Sequence, residues 1–130
     1  MNPFEKISSI AASGLRAQAY RLQVVSENLA NADTNGYRRK LVTFGNELNR
    51  ATGADEVRVT HVFLDSAEGK KIYEPDHPLA DEKGYVTLSN VNMLTEFADA
   101  REANQSYEAG LSLMRQAKQM YSSLLDILRR

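Results

Sequence analysis

"NADTNGYRRK", residues 31–40, has the outline of a calcium loop. Asn31, Asp33 and Asn35 stand at alternate positions, and Gly36 follows where an EF-hand turns sharply. The outline fails further on. With Asn31 as the first loop residue, the twelfth must be a bidentate Glu, and the residue there is Val42. Arg38, Arg39 and Lys40 would also crowd a divalent cation with like charge. The stretch instead reads as a corner: a helix ends near Ala30, Asn side chains bond the freed backbone groups, and Asn35-Gly36 turns the chain, with positive φ expected at Gly36.

Upstream of the corner the chain spells a long helix. Asn2 is an N-cap, Pro3 suits the first helical position, and Glu5 stands where a capping box places its carboxylate. Ile7, Ala11, Leu15, Gln18, Leu22, Val25 and Leu29 then recur at spacings of four and three, one narrow stripe with a polar break at Gln18.

The far end repeats this character at greater length. Met93, Phe97, Ala100, Asn104, Tyr107, Leu111, Met114, Lys118, Tyr121, Leu125 and Leu128 keep a 4-3 rhythm, and Asn90 is the expected N-cap. A heptad sustained this long argues for coiled-coil packing. Asn104 and Lys118 are its polar breaks, either buried devices of register or edge residues beside Ala103 and Ala117.

Between the helices the period falls to two. "EVRVTHVFLD" alternates as a strand, Gly69 in "AEGKK" reads as a hairpin turn, "KKIYEP" as the returning strand, and "GYVTLS" as a third. The expected architecture is mainly α, with long N- and C-terminal helices packing as a coiled coil around a short β-hairpin region. It is one structural domain in three parts: helix and corner over 1–35, a small β-rich module over 36–89, and the heptad helix over 90–130.

At 130 residues the chain is long enough for one core, and its net charge of −1 offers no bulk attraction to nucleic acid or anionic membrane. It lacks Cys, which excludes disulfides and thiolate metal sites. No apolar run reaches the ~20 residues of a membrane span, so no membrane insertion is expected. The charges within the first thirty residues leave no apolar signal-peptide core.

Chemistry has one foothold, the cluster Glu74, Asp76, His77, Asp81 and Glu82. A carboxylate beside His suits acid–base or metal-dependent hydrolysis. Pro75 and Pro78, however, hold the segment extended, so adjacent side chains diverge. No phosphate loop, nucleophile elbow or paired metal motif accompanies it. The reading is therefore no enzyme, with no catalytic, cofactor-binding or metal residue and no cofactor. A small hydrolase built on His77 is the alternative from another class, and a cytoplasmic regulatory coiled coil a third. The run Tyr37–Lys40 is too isolated to imply nucleic acid.

"SGLRAQAYRLQVVSENLANADTNGYRRK" resembles the N-terminal signature of bacterial flagellar rod and hook axial proteins. Its motif is carried here by Asn28, Leu29, Ala30, Asn31, Thr34, Gly36 and Tyr37. "YEPDHPLADEKGYV" and "NVNMLTEFADAREANQSYEAG" are similar to a short rod member of that family, another axial subunit of the family being the alternative. The resemblance implies a structural part of the basal-body rod in the periplasm, exported by the flagellar type III apparatus without a cleaved signal peptide. It implies as partners further copies of the chain, other rod subunits such as FlgB, FlgF and FlgG, and the basal-body base. Leu15, Leu22, Val25, Leu29, Phe97, Tyr107, Leu111, Met114, Tyr121, Leu125 and Leu128 are the residues expected to carry that assembly.

Overall fold

The computed structural model describes residues 2–130 and consists of two long helices with two antiparallel hairpins between them. Helix α1 spans Pro3–Ala30 and helix α2 spans Met93–Leu128. At 1.5 Å per residue they are roughly 42 and 54 Å long. The capping box at the start of α1 is complete: Asn2 Oδ1 accepts from Glu5 N at 2.8 Å, and Glu5 Oε2 accepts from Asn2 N at 3.2 Å.

The helices lie antiparallel along the whole of α1. Asn28 meets Glu96 at one end, Arg21 meets Asp99 and Glu102, Gly110 faces Ala11 and Leu15, and Phe4 stacks on Tyr121 at the other end. The seam uses small residues: Ala11 on α1 faces Gly110 on α2, and Ala103 and Ala117 are the buried apolar residues of α2. Small side chains let two helix backbones approach closely, which sets this seam.

That choice displaces the α2 seam by one residue from half of the heptad. Asn104 and Lys118 are exposed, while Ala103 and Ala117 beside them are buried. The two polar breaks are edge residues of the intrachain pair. Phe97 is likewise turned out, 56% exposed, and the buried neighbour in its place is Glu96.

Strand β1 (Lys40–Asn49) pairs with β2 (Ala54–Leu64), and the short β3 (Lys71–Tyr73) pairs with β4 (Tyr85–Thr87). This corrects the expected hairpin. The partner of the 57–64 strand is the 40–49 segment before it, which the sequence pattern did not mark as a strand, and not the 71–73 segment after Gly69. Alternation in β1 is blurred by Gly45, Asn46 and Asn49, so it carries little period-2 signal. Gly69 serves close approach: a Cβ there would run into the Leu88 carbonyl oxygen.

The β1–β2 ribbon is bulged between Thr43 and Phe44 and runs back along α1. Its distal end docks through polar contacts on small helix residues. Ser13 Oγ accepts from Val57 N at 3.0 Å, and the Ser9 hydroxyl bonds Glu56, which also accepts from Asn49 Nδ2 at 3.0 Å.

Candidate functional site: the corner latch

Three chain segments distant in sequence converge where α1 ends and α2 begins. The corner supplies the turn. Asn31 Nδ2 donates to Glu27 O at 2.9 Å, Thr34 Oγ1 donates to Asn31 Oδ1 at 3.1 Å, and Gly36 takes φ +78°. The corner is then stitched to the strand leading into α2: Gly36 N donates to Thr87 O at 3.0 Å, Asn90 N donates to Tyr37 O at 3.2 Å, and the Ser89 hydroxyl bonds Ala32 O. Asn31, Thr34 and Gly36 thus shape the corner, while Leu29 is half-buried and Ala30 exposed at the helix end.

Asn28 is the hub. Only 1% exposed, its amide is fully used: Nδ2 donates to Lys40 O at 3.0 Å and to Glu96 Oε2 at 3.2 Å, and Oδ1 accepts from Lys40 N at 2.8 Å and from Tyr37 OH at 2.9 Å. One side chain therefore joins α1, the corner, β1 and α2. Burial of the Tyr37 hydroxyl raises its pKa, the largest cause being desolvation.

Arg39 closes the latch. Its Nε donates to Glu96 Oε1 at 2.6 Å, and its terminal nitrogens reach Asp99 at 3.2 Å and Asp65 at 3.6 Å. Glu96 is wholly buried, so its charge depends on Arg39 and Asn28 for compensation. The backbone of Arg39 is held too, its N–H donating to Asn90 Oδ1 at 2.6 Å. Asn90, expected as the α2 N-cap, is occupied here, and its Nδ2 donates to Ala67 O at 2.8 Å. The cap is Asn92, whose Oδ1 accepts from Leu94 N at 3.0 Å and Thr95 N at 3.4 Å.

The motif residues Asn28 and Tyr37 thus meet, but the sequence reading gave Arg39 and Asn90 other roles and missed Glu96. "YRRK" was visible as a basic run, and "LTEF" carried an acid on the helix face, yet nothing local pairs residues 57 apart. Of the stripe, Val25 is buried, and Leu15, Leu22, Leu29, Tyr107, Leu111 and Met114 are half-buried. Phe97, Tyr121, Leu125 and Leu128 are exposed, Tyr121 with one side against Phe4, so the chain leaves apolar side chains on α2 that it does not cover itself.

His77 sits in a different structure from a reactive site. Its Nδ1 accepts from Leu79 N at 3.0 Å, and its Nε2 lies 3.3 Å from the Asn35 side-chain amide, so both ring nitrogens are engaged. Asp81 accepts from Lys83 N and Tyr85 N, each at 2.9 Å, and these backbone donors, Tyr85 first, lower its pKa. The segment is a hydrogen-bonded turn that props the corner through Asn35. Among the described residues no three His, Asp or Glu side chains are grouped to hold a metal ion. Among the described residues, too, no helix is long and apolar enough to cross a membrane.

Residues 9–38 match the family model of flagella basal body rod proteins, and residues 82–127 match the C-terminal model of flagellar basal body rod FlgEFG proteins. These two segments are the ones that Asn28 and Glu96 join. Over 99% of this chain and 98% of the relative, the sequence is 44% identical to the flagellar basal-body rod protein FlgC of Agrobacterium fabrum. The FlgC proteins of Escherichia coli O6:H1 and Salmonella typhimurium are 40% and 36% identical over 93% of this chain and 95% of theirs. With Asn28 and Glu96 lying in the two matched segments and the likeness running end to end, the chain belongs to the flagellar basal-body rod protein FlgC family.

Proposed function

We propose that this chain is a structural, non-catalytic subunit of the bacterial flagellar basal-body rod, assembling through its terminal helices into the axial tube that serves motility. The full-length likeness to FlgC proteins carries the reading. The structure supports it through its uneven burial. The α1–α2 seam uses small residues and leaves Phe97, Leu125 and Leu128 exposed, apolar side chains suited to neighbouring subunits. The latch then holds the helix pair and the hairpin in one relative orientation.

The parts divide the labour. Residues 1–35 and 90–130 form the tube wall, and 36–89 set spacing outside it. Copies of the chain, other rod subunits such as FlgB, FlgF and FlgG, and the basal-body base are its partners. The flagellar type III apparatus delivers it to the periplasm without a cleaved signal peptide. The His77 turn plays no chemical role.

Electron microscopy of basal bodies from a strain lacking the chain tests this. The expected image lacks the rod, and expression of the chain, including a His77→Ala form, restores rods and swimming. Intact rods in the deletion strain would overturn the reading.

A further inference from the structure

Asn35-Gly36 is the one Asn-Gly pair in the chain, and such a pair carries its own chemistry. With no Cβ beside it, a Gly backbone nitrogen is unhindered, and it can close a ring onto the preceding Asn Cγ. The corner commits both reacting groups elsewhere. Gly36 N donates to Thr87 O at 3.0 Å, so its N–H is spent within the backbone network. The Asn35 amide lies 3.3 Å from His77 Nε2. His77 Nδ1 accepts from Leu79 N at 3.0 Å, so the neutral ring carries its proton on Nε2 and presents it to the amide oxygen. A donor on that oxygen favours attack at Cγ, but Thr87 withholds the nucleophile. Water has access, since Gly36 is exposed and nothing lies within 4 Å of where its Cβ would be.

We propose that Asn35 is a self-modification site, silent in the folded corner and reactive whenever the corner is open. Freed from Thr87 O, Gly36 N attacks Asn35 Cγ. The N–Cγ bond forms, the Cγ–Nδ2 bond breaks, and ammonia leaves with the proton from Gly36 N. Water, the only co-reactant, then opens the resulting succinimide. Attack at Cγ restores the original backbone with an Asp side chain at this position. Attack at the Asn35 main-chain carbonyl carbon leaves the chain running through Cβ and Cγ, an isoaspartyl linkage.

The two products differ in what they do to the latch. The Asp form keeps the backbone, and its carboxylate still accepts from His77 Nε2. The isoaspartyl form inserts an extra carbon into the main chain immediately before Gly36. Gly36 N then loses its register with Thr87 O, and Tyr37 is carried away from Asn90 N and Asn28 Oδ1. A chain left open long enough thus marks itself as unable to rebuild the corner. This property belongs to the chain alone and does not rest on the rod reading.

The test incubates the full chain in warm neutral buffer, folded and in guanidinium, and then digests it after Lys and Arg. The peptide of residues 22–38 holds Asn28, Asn31 and Asn35, followed by Leu29, Ala32 and Gly36, so it contains its own controls. Mass spectrometry should find amide loss first at Asn35 in the unfolded chain. In the folded chain the loss should be at least about tenfold slower, because it waits on local opening. Asn35→Gln, whose longer side chain must close a larger ring, should suppress it in guanidinium. Isoaspartyl content is read by enzymatic methylation of the new carboxylate. Returned to native buffer, the isoaspartyl fraction should fail to recover the wild-type melting transition, while Asn35→Asp melts close to wild type. An unreactive unfolded chain, equal rates folded and unfolded, or equal loss at Asn28 or Asn31 would overturn the site. An isoaspartyl fraction that melts with the wild type would overturn its effect on the latch.

Discussion

Arg39 Nε donates to Glu96 Oε1 at 2.6 Å, joining a guanidinium 15% exposed to a carboxylate with no exposure at all. The two partners are unequal. Arg39 retains Asp99 and Asp65 if Glu96 is lost, whereas Glu96 retains only the Asn28 amide if Arg39 is lost. Arg39→Ala is therefore expected to cost about 3–5 kcal/mol and Glu96→Ala less, because only the first strands a buried charge. Arg39→Met with Glu96→Leu should recover most of the loss. Urea denaturation measures all three, and Arg39→Ala costing no more than Glu96→Ala would refute the asymmetry.

Asn28 cannot become Asp without conflict. The substitution replaces the donor facing Glu96 Oε2 at 3.2 Å and Lys40 O at 3.0 Å with a second carboxylate oxygen. A cost of about 3 kcal/mol is expected at neutral pH. Two carboxyls this close raise the pKa of one of them, so part of the loss should return as the pH falls and a proton is shared. Asn28→Ala lacks that recovery. Equal pH profiles for the two variants, relative to wild type, would show that the carboxylates do not face each other.

The seam makes opposite demands on adjacent residues. Ala103 has no exposure, so Ala103→Leu overpacks the helix pair and should cost about 1–3 kcal/mol. Asn104 and Lys118 are exposed, and Asn104→Leu with Lys118→Leu should change monomer stability by about 0.5 kcal/mol or less. Thermal unfolding in dilute solution separates these outcomes. Similar losses from both would place the seam on the heptad positions instead.

Gly36 has positive φ with nothing within 4 Å of an added Cβ, so a substitution there meets backbone strain without a steric clash. Gly36→Val should cost about 1–2 kcal/mol and narrow the swimming ring more than Asp33→Ala, which changes an exposed side chain. Gly36→Asn should be milder, since Asn tolerates this conformation. Full swimming with Gly36→Val would remove the corner from the determinants of assembly.

Glu56 anchors the ribbon's distal end, and the Ser9 hydroxyl, followed by the Asn49 amide, holds its pKa below the ordinary 4.5. Because the folded value is the lower one, the stabilisation is complete above 4.5 and is lost as the pH falls through the folded value. Hydrogen exchange at Val57 N–H, bonded to Ser13 Oγ, should accelerate in that acid window. Glu56→Gln should flatten the response. An acid acceleration of equal size in the Gln variant would assign it to another group.

The local code was legible wherever a structure is decided within a turn or two of chain. The limits of α1 followed from Asn2, Pro3 and Glu5 at one end and the Asn35-Gly36 corner at the other. The β1 strand was not legible, because Gly45 and its Asn neighbours mask alternation and its pairing is secured by α1 through Asn28. Gly69 misled because the same residue answers two needs, a turn and a close crossing, and only the Leu88 carbonyl tells them apart. Asn90 misled likewise, its cap chemistry being spent on Arg39, Asp65 and Ala67.

By itself the sequence determined two long amphipathic helices, a short β region between them and the left-handed Gly36. Those are properties of period, capping and backbone sterics, which act locally. Tertiary structure alone decided the phase of the α2 seam and the identity of the latch. A heptad repeats equally through Asn104 and Lys118 or through Ala103 and Ala117, and closest approach of two backbones selects the smaller pair. Likewise, a Glu on a helix face reads as solvated until the fold brings Arg39 and Asn28 against it. The free energy of that burial lies in the pairing, and the partners of Glu96 are 57 and 68 residues away.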